Sequence, residues 1–121
     1  MEISYRLDVD PIPQARPRVG RYGAYEPKRC TKYKQEIKKK AAAAMTGREP
    51  LTGEIDCLIK VFRKVKSTSR NFGDVDNHIK SILDGMNGIC YQDDRQITKC
   101  TIEKETDPTP HIEVVLKNAN I

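Results

Sequence analysis

The chain alternates apolar and polar residues in two stretches, which is the pattern of a strand with one buried face. In residues 2–9 the apolar positions are Ile3, Tyr5, Leu7 and Val9. In residues 53–64 they are Ile55, Cys57, Ile59 and Val61. The opposite face of the second stretch is partly apolar because it carries Leu58 and Phe62. We therefore predict two strands, the second either central in its sheet or covered by a partner subunit.

Two other stretches carry apolar residues at helical spacing. Residues 31–45 have a thin stripe formed by Tyr33, Ile37, Ala41 and Ala44, and Gly47 ends this helix. Residues 74–86 have a fuller stripe formed by Val75, Ile79, Ile82, Leu83 and Met86. Asp74 stands at the N-cap position of this second helix, and Asn87-Gly88 is a stop signal. We expect its apolar stripe to be buried.

The remaining pattern completes a small α/β fold. Residues 96–105 and 111–117 are predicted to form a hairpin whose turn is residues 107–110. Residues 10–29 are rich in Pro, Gly and Arg, so they cannot be regular structure throughout. The predicted order is β-α-β-α-β-β, a single domain of residues 1–121 with one mixed sheet and helices packed on it.

Two acidic pairs flank the second predicted helix, Asp74 with Asp76 and Asp93 with Asp94. We expect the second pair to return near the start of the helix, so that three or four carboxylates surround one point. Unpartnered carboxylates repel one another, and a divalent cation relieves that repulsion. Oxygen ligands without nearby Cys or paired His favour a hard ion such as Mg²⁺. Lys80, one turn after Asp76, is placed to stabilise charge on a phosphodiester.

Each acidic feature also has a purely structural interpretation. Asp74 and Asp76 complement the dipole at a helix N-terminus, and Asp93-Asp94 is compatible with a plain turn. Lys80 and Asp84 have the spacing of an ordinary surface ion pair. Neither acidic pair alone decides between structure and catalysis.

Residues 73–97, GDVDNHIKSILDGMNGICYQDDRQI, resemble the signature of the RusA-type Holliday junction resolvases. The shared pattern is Asp-x-Asp-Asn, a Lys four residues after the second Asp, a Leu-Asp-Gly helix end, and Asp-Asp before a strand. The resemblance extends over essentially the whole chain and implies a RusA-like fold. It also implies that Asp74, Asp76 and Asp94 are catalytic metal ligands. By the same resemblance Asp93 is a supporting acid of the metal-binding group and Lys80 is the catalytic lysine.

The charge of the chain favours a nucleic-acid partner. The formal net charge is +5, and a basic surface around an acidic site suits an enzyme that holds phosphates. The candidate DNA-binding residues lie on two predicted loops: Arg16, Arg18, Arg21, Lys66 and Arg70. The first loop also carries tyrosines that suit a nucleic-acid surface. The alternative is that these loops are only solvated.

The other residue types suggest a reduced, aqueous setting. Four cysteines lie far apart without a Cys-x-x-Cys motif, so we predict no zinc site and expect them to be reduced and mostly buried. His78 is predicted on the polar side of its helix, near the surface or DNA. No apolar run approaches a membrane span and no signal peptide is recognised. We therefore expect a cytoplasmic, nucleoid-associated protein with no membrane partner.

From the residues and the resemblance together we predict a Mg²⁺-dependent endonuclease in which Mn²⁺ substitutes for Mg²⁺. It would resolve four-way junction DNA by paired symmetric nicks, in recombination and repair, as a homodimer with one site per protomer. The family is often phage-borne, which makes a prophage origin an expectation. The alternatives are a non-catalytic DNA-binding module that retains the acidic motif and a metal-dependent hydrolase of small phosphoesters.

Overall fold

The structure, a computed structural model, describes residues 2–15, 18–21 and 23–119, without the side chains of Arg18, Val19 and Ala24. The elements along the chain are β1 (Glu2–Leu7), β2 (Arg18–Gly20), β3 (Gly23–Tyr25), α1 (Lys28–Ala44), β4 (Ile55–Arg63), α2 (Val75–Met86), β5 (Ile97–Thr106) and β6 (His111–Asn118). Single-turn 3-10 helices lie at Arg70–Phe72 and Asp94–Gln96. The predicted α/β class with one mixed sheet is confirmed.

The main sheet has the strand order β1-β6-β4-β5, and β2 and β3 form a separate two-stranded ribbon. β4 pairs parallel with β5 and antiparallel with β6, so the central position predicted for β4 is confirmed. The predicted hairpin of the last two strands is wrong, because β6 lies between β1 and β4 instead of beside β5. The turn before β6 reverses the chain, but chain reversal does not determine which strands become neighbours.

The helices cover one face of this sheet. The inward residues of the three better-covered strands are almost fully buried: Ile3, Tyr5 and Leu7 on β1, Ile55, Cys57, Ile59 and Val61 on β4, and Ile112, Val114 and Leu116 on β6. α1 adds Tyr33, Ile37 and Ala41. It begins at Lys28, three residues before the predicted start, with Pro27 at its N-cap.

The buried face of α2 overlaps the predicted stripe in part: Ile82 and Met86 are buried, and Ile79 and Leu83 are half-buried against the core. It consists of His78, Ser81, Ile82, Gly85 and Met86, whereas Val75 is 42% exposed. The helix is rotated because Gly85 packs tightly on α1: a Cβ at Gly85 would lie 2.7 Å from Cγ2 of Ile37. The surface position predicted for His78 is therefore wrong, since this side chain is fully buried.

The cysteines are free, with Cys30, Cys57 and Cys90 buried and Cys100 half-buried, as predicted. Over the part of the chain that the structure describes, neither helix has the length and apolar character needed to cross a membrane.

Two buried tyrosines give a stability prediction. The Tyr5 hydroxyl is buried without a hydrogen-bond partner among the residues that the structure describes, whereas the Tyr91 hydroxyl donates to the Leu83 carbonyl at 2.9 Å. Tyr5→Phe should leave the free energy of unfolding unchanged or raise it, because no bond is lost. Tyr91→Phe should lower it by about 0.5–1.5 kcal/mol, because one hydrogen bond to the Leu83 carbonyl is lost while that carbonyl keeps the Asn87 amide as a donor. Urea titration of both variants measures this difference, and equal losses would contradict the assignment.

Candidate active site

The first acidic pair lies at the N-terminal end of α2 and faces solvent. Asp74 is the N-cap residue, in an extended conformation, but its side chain makes no capping hydrogen bond. Asp74 and Asp76 are both exposed. The capping interpretation therefore does not account for the Asp74 carboxylate, although both charges still complement the positive end of the helix.

Three cationic or polar side chains hold the loop that leads into Asp74. Arg63 donates to the carbonyls of Asn71 and Phe72, at 2.8 and 3.0 Å. Lys104 donates to the Gly73 carbonyl at 3.0 Å. Because these carbonyls are held from two strands, the backbone entering α2 has a defined position.

His78 is the third anchor of this loop. Its Nε2 lies 2.6 Å from the Phe72 carbonyl oxygen, so Nε2 carries the proton and donates. Burial lowers the pKa of His78. The hydrogen bond to Phe72 raises this pKa, whereas the charges on Arg63 and Lys104 lower it further. The ring is therefore a neutral structural donor on the core side of α2.

Asp93 and Asp94 occupy different environments after α2. Asp93 caps the 3-10 helix Asp94–Gln96: its Oδ1 accepts from the Arg95 amide at 2.9 Å, and this bond lowers its pKa. Asp94 is half-buried, and its Oδ1 is buried with no hydrogen-bond partner among the described residues. Burial raises the pKa of Asp94, and the charges on Asp84 and Asp93 raise it further.

The two acidic pairs lie at opposite ends of α2 within one chain. The charge on Asp84 influences Asp94, and Asp76 and Asp84 are eight residues apart, which is about 12 Å along the helix. Among the described residues no three His, Cys, Asp or Glu side chains are arranged to hold a metal ion. The expectation that Asp93 and Asp94 return near the helix start is therefore wrong.

The reason is the compact turn that follows α2. The Gly88 amide donates to the Tyr91 carbonyl at 2.8 Å, and the Cys90 amide donates to the Met86 carbonyl at 3.1 Å. The chain then passes through the 3-10 helix Asp94–Gln96 and enters β5. It therefore delivers Asp94 to the end of α2 that it has just left.

Lys80 and Asp84 do not form the surface pair that their spacing suggested. Asp84 accepts from Lys34 of α1 at 3.2 Å, while Lys80 is exposed in the middle of α2. Lys34 also pairs with Glu26. The carboxylate of Asp84 is thus tied to α1, and the ammonium group of Lys80 faces solvent between the two acidic ends.

The donor set fits a hard divalent cation better than a soft one. The candidate ligand atoms are carboxylate oxygens, which Mg²⁺ prefers. The unpartnered, buried Oδ1 of Asp94 is the particular atom that a cation would satisfy, since a buried acceptor without a partner is unfavourable.

The candidate DNA-binding residues are placed to different extents. Lys66 and Arg70 are exposed on the segment between β4 and α2, on the approach to Asp74. Arg21 is exposed at the turn between β2 and β3. Arg16 lies outside the described residues, and for Arg18 only its backbone position in β2 is described.

Sequence patterns alone did not identify several residues of this site. Arg63, Asp84 and Lys34 act through partners distant in sequence, which no local pattern reveals. Lys104 had a usable signal, because strand alternation puts it on the same face as Cys100 and Ile102, and a lysine on a core-facing position needs a partner.

Comparison with known proteins gives two matches. A family model described as "Endodeoxyribonuclease RusA" matches residues 8–117. A protein of Bacillus subtilis (strain 168), "Uncharacterized protein YqaN", is 24% identical over 141 residues, an alignment that covers 98% of this chain and 97% of that protein.

The loop before Asp74 gives a second prediction. Gly73 has φ +94°, and a Cβ there would lie 2.6 Å from Cγ of Pro13 and 2.9 Å from Nε2 of His78. Gly47 also has a positive φ, +75°, but a Cβ there meets nothing within 4 Å. Gly73→Ala should therefore lower the free energy of unfolding by about 1–3 kcal/mol more than Gly47→Ala, because only Gly73→Ala adds overpacking to backbone strain.

Thermal or urea unfolding of the two variants measures the difference. Equal destabilisation would show that Pro13 and His78 do not confine this loop.

Proposed function

The chain belongs to the RusA endodeoxyribonuclease family, and on this premise we propose that it is a Mg²⁺-dependent Holliday junction resolvase, in which Mn²⁺ substitutes for Mg²⁺. The proposed reaction is a pair of symmetric nicks in four-way junction DNA, serving recombination and repair. The observation that carries the proposal is the Oδ1 atom of Asp94, which is buried without a hydrogen-bond partner among the described residues. Asp94 follows α2, the helix that carries Lys80 and has the solvent-facing carboxylates of Asp74 and Asp76 at its start.

We assign each acid a role that suits its environment. Asp74, Asp76 and Asp94 are the proposed ligands, and Asp93 supports them, because its carboxylate is already engaged with the Arg95 amide. A bound divalent cation supplies a more acidic water and neutralises charge on the phosphate. Lys80 contacts a phosphate oxygen and stabilises the additional negative charge of the transition state.

Two arguments support a homodimer. Symmetric nicking of two strands matches a pair of sites related by a two-fold axis, and such dimers are the commonest assemblies. In addition, the acids of one chain are separated along α2. A second copy whose α2 runs antiparallel to that of the first would bring its own Asp94 towards Asp74 and Asp76 of the first chain. We propose that each catalytic centre is shared in this way.

The basic residues near Asp74 are proposed to hold the DNA backbone. Lys66 and Arg70 are exposed beside the helix N-terminus that carries the acids, so they can contact phosphates next to the cut. Arg21, Arg16 and Arg18 are proposed to extend this contact from the β2–β3 ribbon. Phosphate contacts of this kind position the DNA without reading its sequence.

One assay separates this proposal from a non-catalytic DNA-binding module and from a small-phosphoester hydrolase. The substrates are a labelled four-way junction, a linear duplex of the same sequence and a chromogenic phosphate ester, each with and without Mg²⁺. We expect paired nicks in the junction only, and only with Mg²⁺. Junction binding without cleavage favours the module, and turnover of the ester alone favours the hydrolase.

Two variants identify the chemistry in that assay. Asp76→Asn should abolish junction cleavage while retaining or tightening binding, because it removes a ligand and a negative charge near phosphate. Lys80→Ala should reduce cleavage by about 10²-fold or more with little loss of binding, because the contact acts in the transition state. Appreciable Mg²⁺-dependent cleavage by Asp76→Asn would end the ligand assignment. Equal losses of binding and cleavage in Lys80→Ala would make Lys80 a positioning residue.

The basic loop gives a prediction about salt. Lys66→Gln and Arg70→Gln should each weaken binding to junction and duplex alike, and should reduce the slope of log affinity against log salt by about 0.9 per lost phosphate contact. Lys117→Gln, at the opposite end of the sheet, is the matched control and should leave the slope unchanged. Unchanged slopes in both loop variants would remove Lys66 and Arg70 from the interface.

A further inference from the structure

β5 is an edge strand with an incompletely covered face. Within the described part of the chain it pairs only with β4, and none of its ten residues is buried. Cys100 and Ile102 point to the helix side of the sheet. Their neighbours on β4, Cys57 and Ile59, are fully buried there, at 0% exposure. Cys100 and Ile102 are only half-buried. The open edge therefore offers both unpaired backbone groups and apolar surface.

α2 continues this apolar surface beside β5. Val75 is 42% exposed, and Ile79 and Leu83 are half-buried at the border of the core. Of the predicted apolar stripe, Val75 is exposed, and Ile79 and Leu83 pack against the core while keeping part of their surface open. An apolar stripe along an open strand edge favours another protein surface as its cover.

The outer face of the sheet carries charges in an ordered pattern. One row of cross-strand neighbours consists of Glu2, Lys117, Asp56 and Lys99, from β1 to β5. A second row consists of Arg6, Glu113, Lys60 and Glu103. The signs alternate within each row, and at the β5 edge one row ends in a positive residue and the other in a negative residue. The row between them ends in Thr101.

We propose that a second copy of this chain adds to the sheet antiparallel along β5, with the two-fold axis at Thr101. Lys99 then lies opposite Glu103 of the second copy, and Cys100 lies opposite Ile102 of the second copy. Each charged row continues into the other row of the second copy, so the alternation of signs extends across all eight strands. Opposite charges directly across an antiparallel pair stabilise it, and like charges destabilise it.

Neighbouring registers are less favourable. An axis at Ile102 places Cys100 opposite Lys104 on the apolar side. An axis at Glu103 places two copies of this carboxylate against each other, and an axis at Lys104 does the same with two ammonium groups. The register at Thr101 is thus selected on both faces of the strand.

The other edge of the sheet, β1, does not offer the same surface. A two-fold axis at Ser4 would also place Glu2 opposite Arg6 of a second copy. The inward residues Ile3, Tyr5 and Leu7, however, are already buried in the single chain, with only 2–8% of their surface exposed. Arg48 donates to the Glu2 carbonyl at 2.8 Å and so occupies part of that edge. A second copy would bury little apolar surface there.

This inference rests on the homodimer of the proposed function and specifies its interface. α2 packs on the sheet beside β5. The two-fold axis therefore places the two α2 helices of the dimer antiparallel, one on each side of the axis. Assembly is measured without DNA or metal, so failure of the interface is distinguishable from failure of the nuclease proposal.

The first test uses opposite charges in two separate chains. Lys99→Glu places two carboxylates opposite each other in its homodimer, and Glu103→Lys places two ammonium groups opposite each other. Each variant alone should dimerise more weakly than wild type, by roughly ten-fold in Kd. An equimolar mixture should form heterodimers, because both cross-axis pairs are then attractive.

Analytical ultracentrifugation and native mass spectrometry measure this outcome, with circular dichroism to verify that each variant is folded. Glu2→Lys, on the opposite edge, is the matched control and should dimerise as wild type does. Wild-type-like dimers from both single variants, or a mixture with no preference for the heterodimer, would overturn the interface.

The second test is a disulfide cross-link at the axis. Opposed residues of an antiparallel pair have Cα atoms about 4.5–5.5 Å apart, within the range for a disulfide. Thr101→Cys should therefore give a covalent dimer with a mild oxidant such as diamide, whereas Ser4→Cys and wild type should not. A dimeric Thr101→Cys protein that does not cross-link, or equal cross-linking of Ser4→Cys, would contradict the two-fold axis at Thr101.

Discussion

The direction of α2 is the constraint on which the rest of the site depends. α2 connects two parallel strands, β4 and β5, so it must run back along the sheet between them. Its N-terminus is therefore at the end of β4, and its C-terminus is at the start of β5. Acids that precede and follow this helix cannot meet within one chain, however close their numbers are in the sequence. The proposed shared centre in a two-fold dimer would reconcile the RusA signature with this topology.

Polar contacts from three elements keep the N-terminal acids in place. Arg63 and Lys104 come from β4 and β5, and His78 comes from α2 itself, yet all three donate to the short loop at residues 71–73. The Phe72 carbonyl accepts from both Arg63 and the buried His78, so the loop is held even though Asp74 is exposed. Stability of the core and geometry of the candidate site are thus coupled through the same three donors.

Local periodicity predicted the positions of most elements and both acidic pairs, because a strand or helix imposes its repeat directly on the sequence. It failed where a distant partner decides the outcome. His78 is polar but buried, since its partner is a backbone carbonyl six residues earlier, and Gly85 rotates α2 because Ile37 lies against it. The pairing of β6 with β4 likewise depends on the whole sheet and not on the turn that precedes it. The signature of residues 73–97 indicated the family, but it carries no information on which chain supplies each acid.

Complementation between two inactive chains tests the shared centre most directly. Asp76→Asn and Asp94→Asn each remove one end of the proposed ligand set, so each variant alone should bind four-way junctions without nicking them. In a mixed dimer one centre carries both substitutions and the other carries neither. An equimolar mixture should therefore regain Mg²⁺-dependent nicking, at roughly a quarter of the wild-type rate if subunits mix at random into two-fold dimers. No nicking by verified mixed dimers would contradict the account, because it would show that both acids act in the same chain.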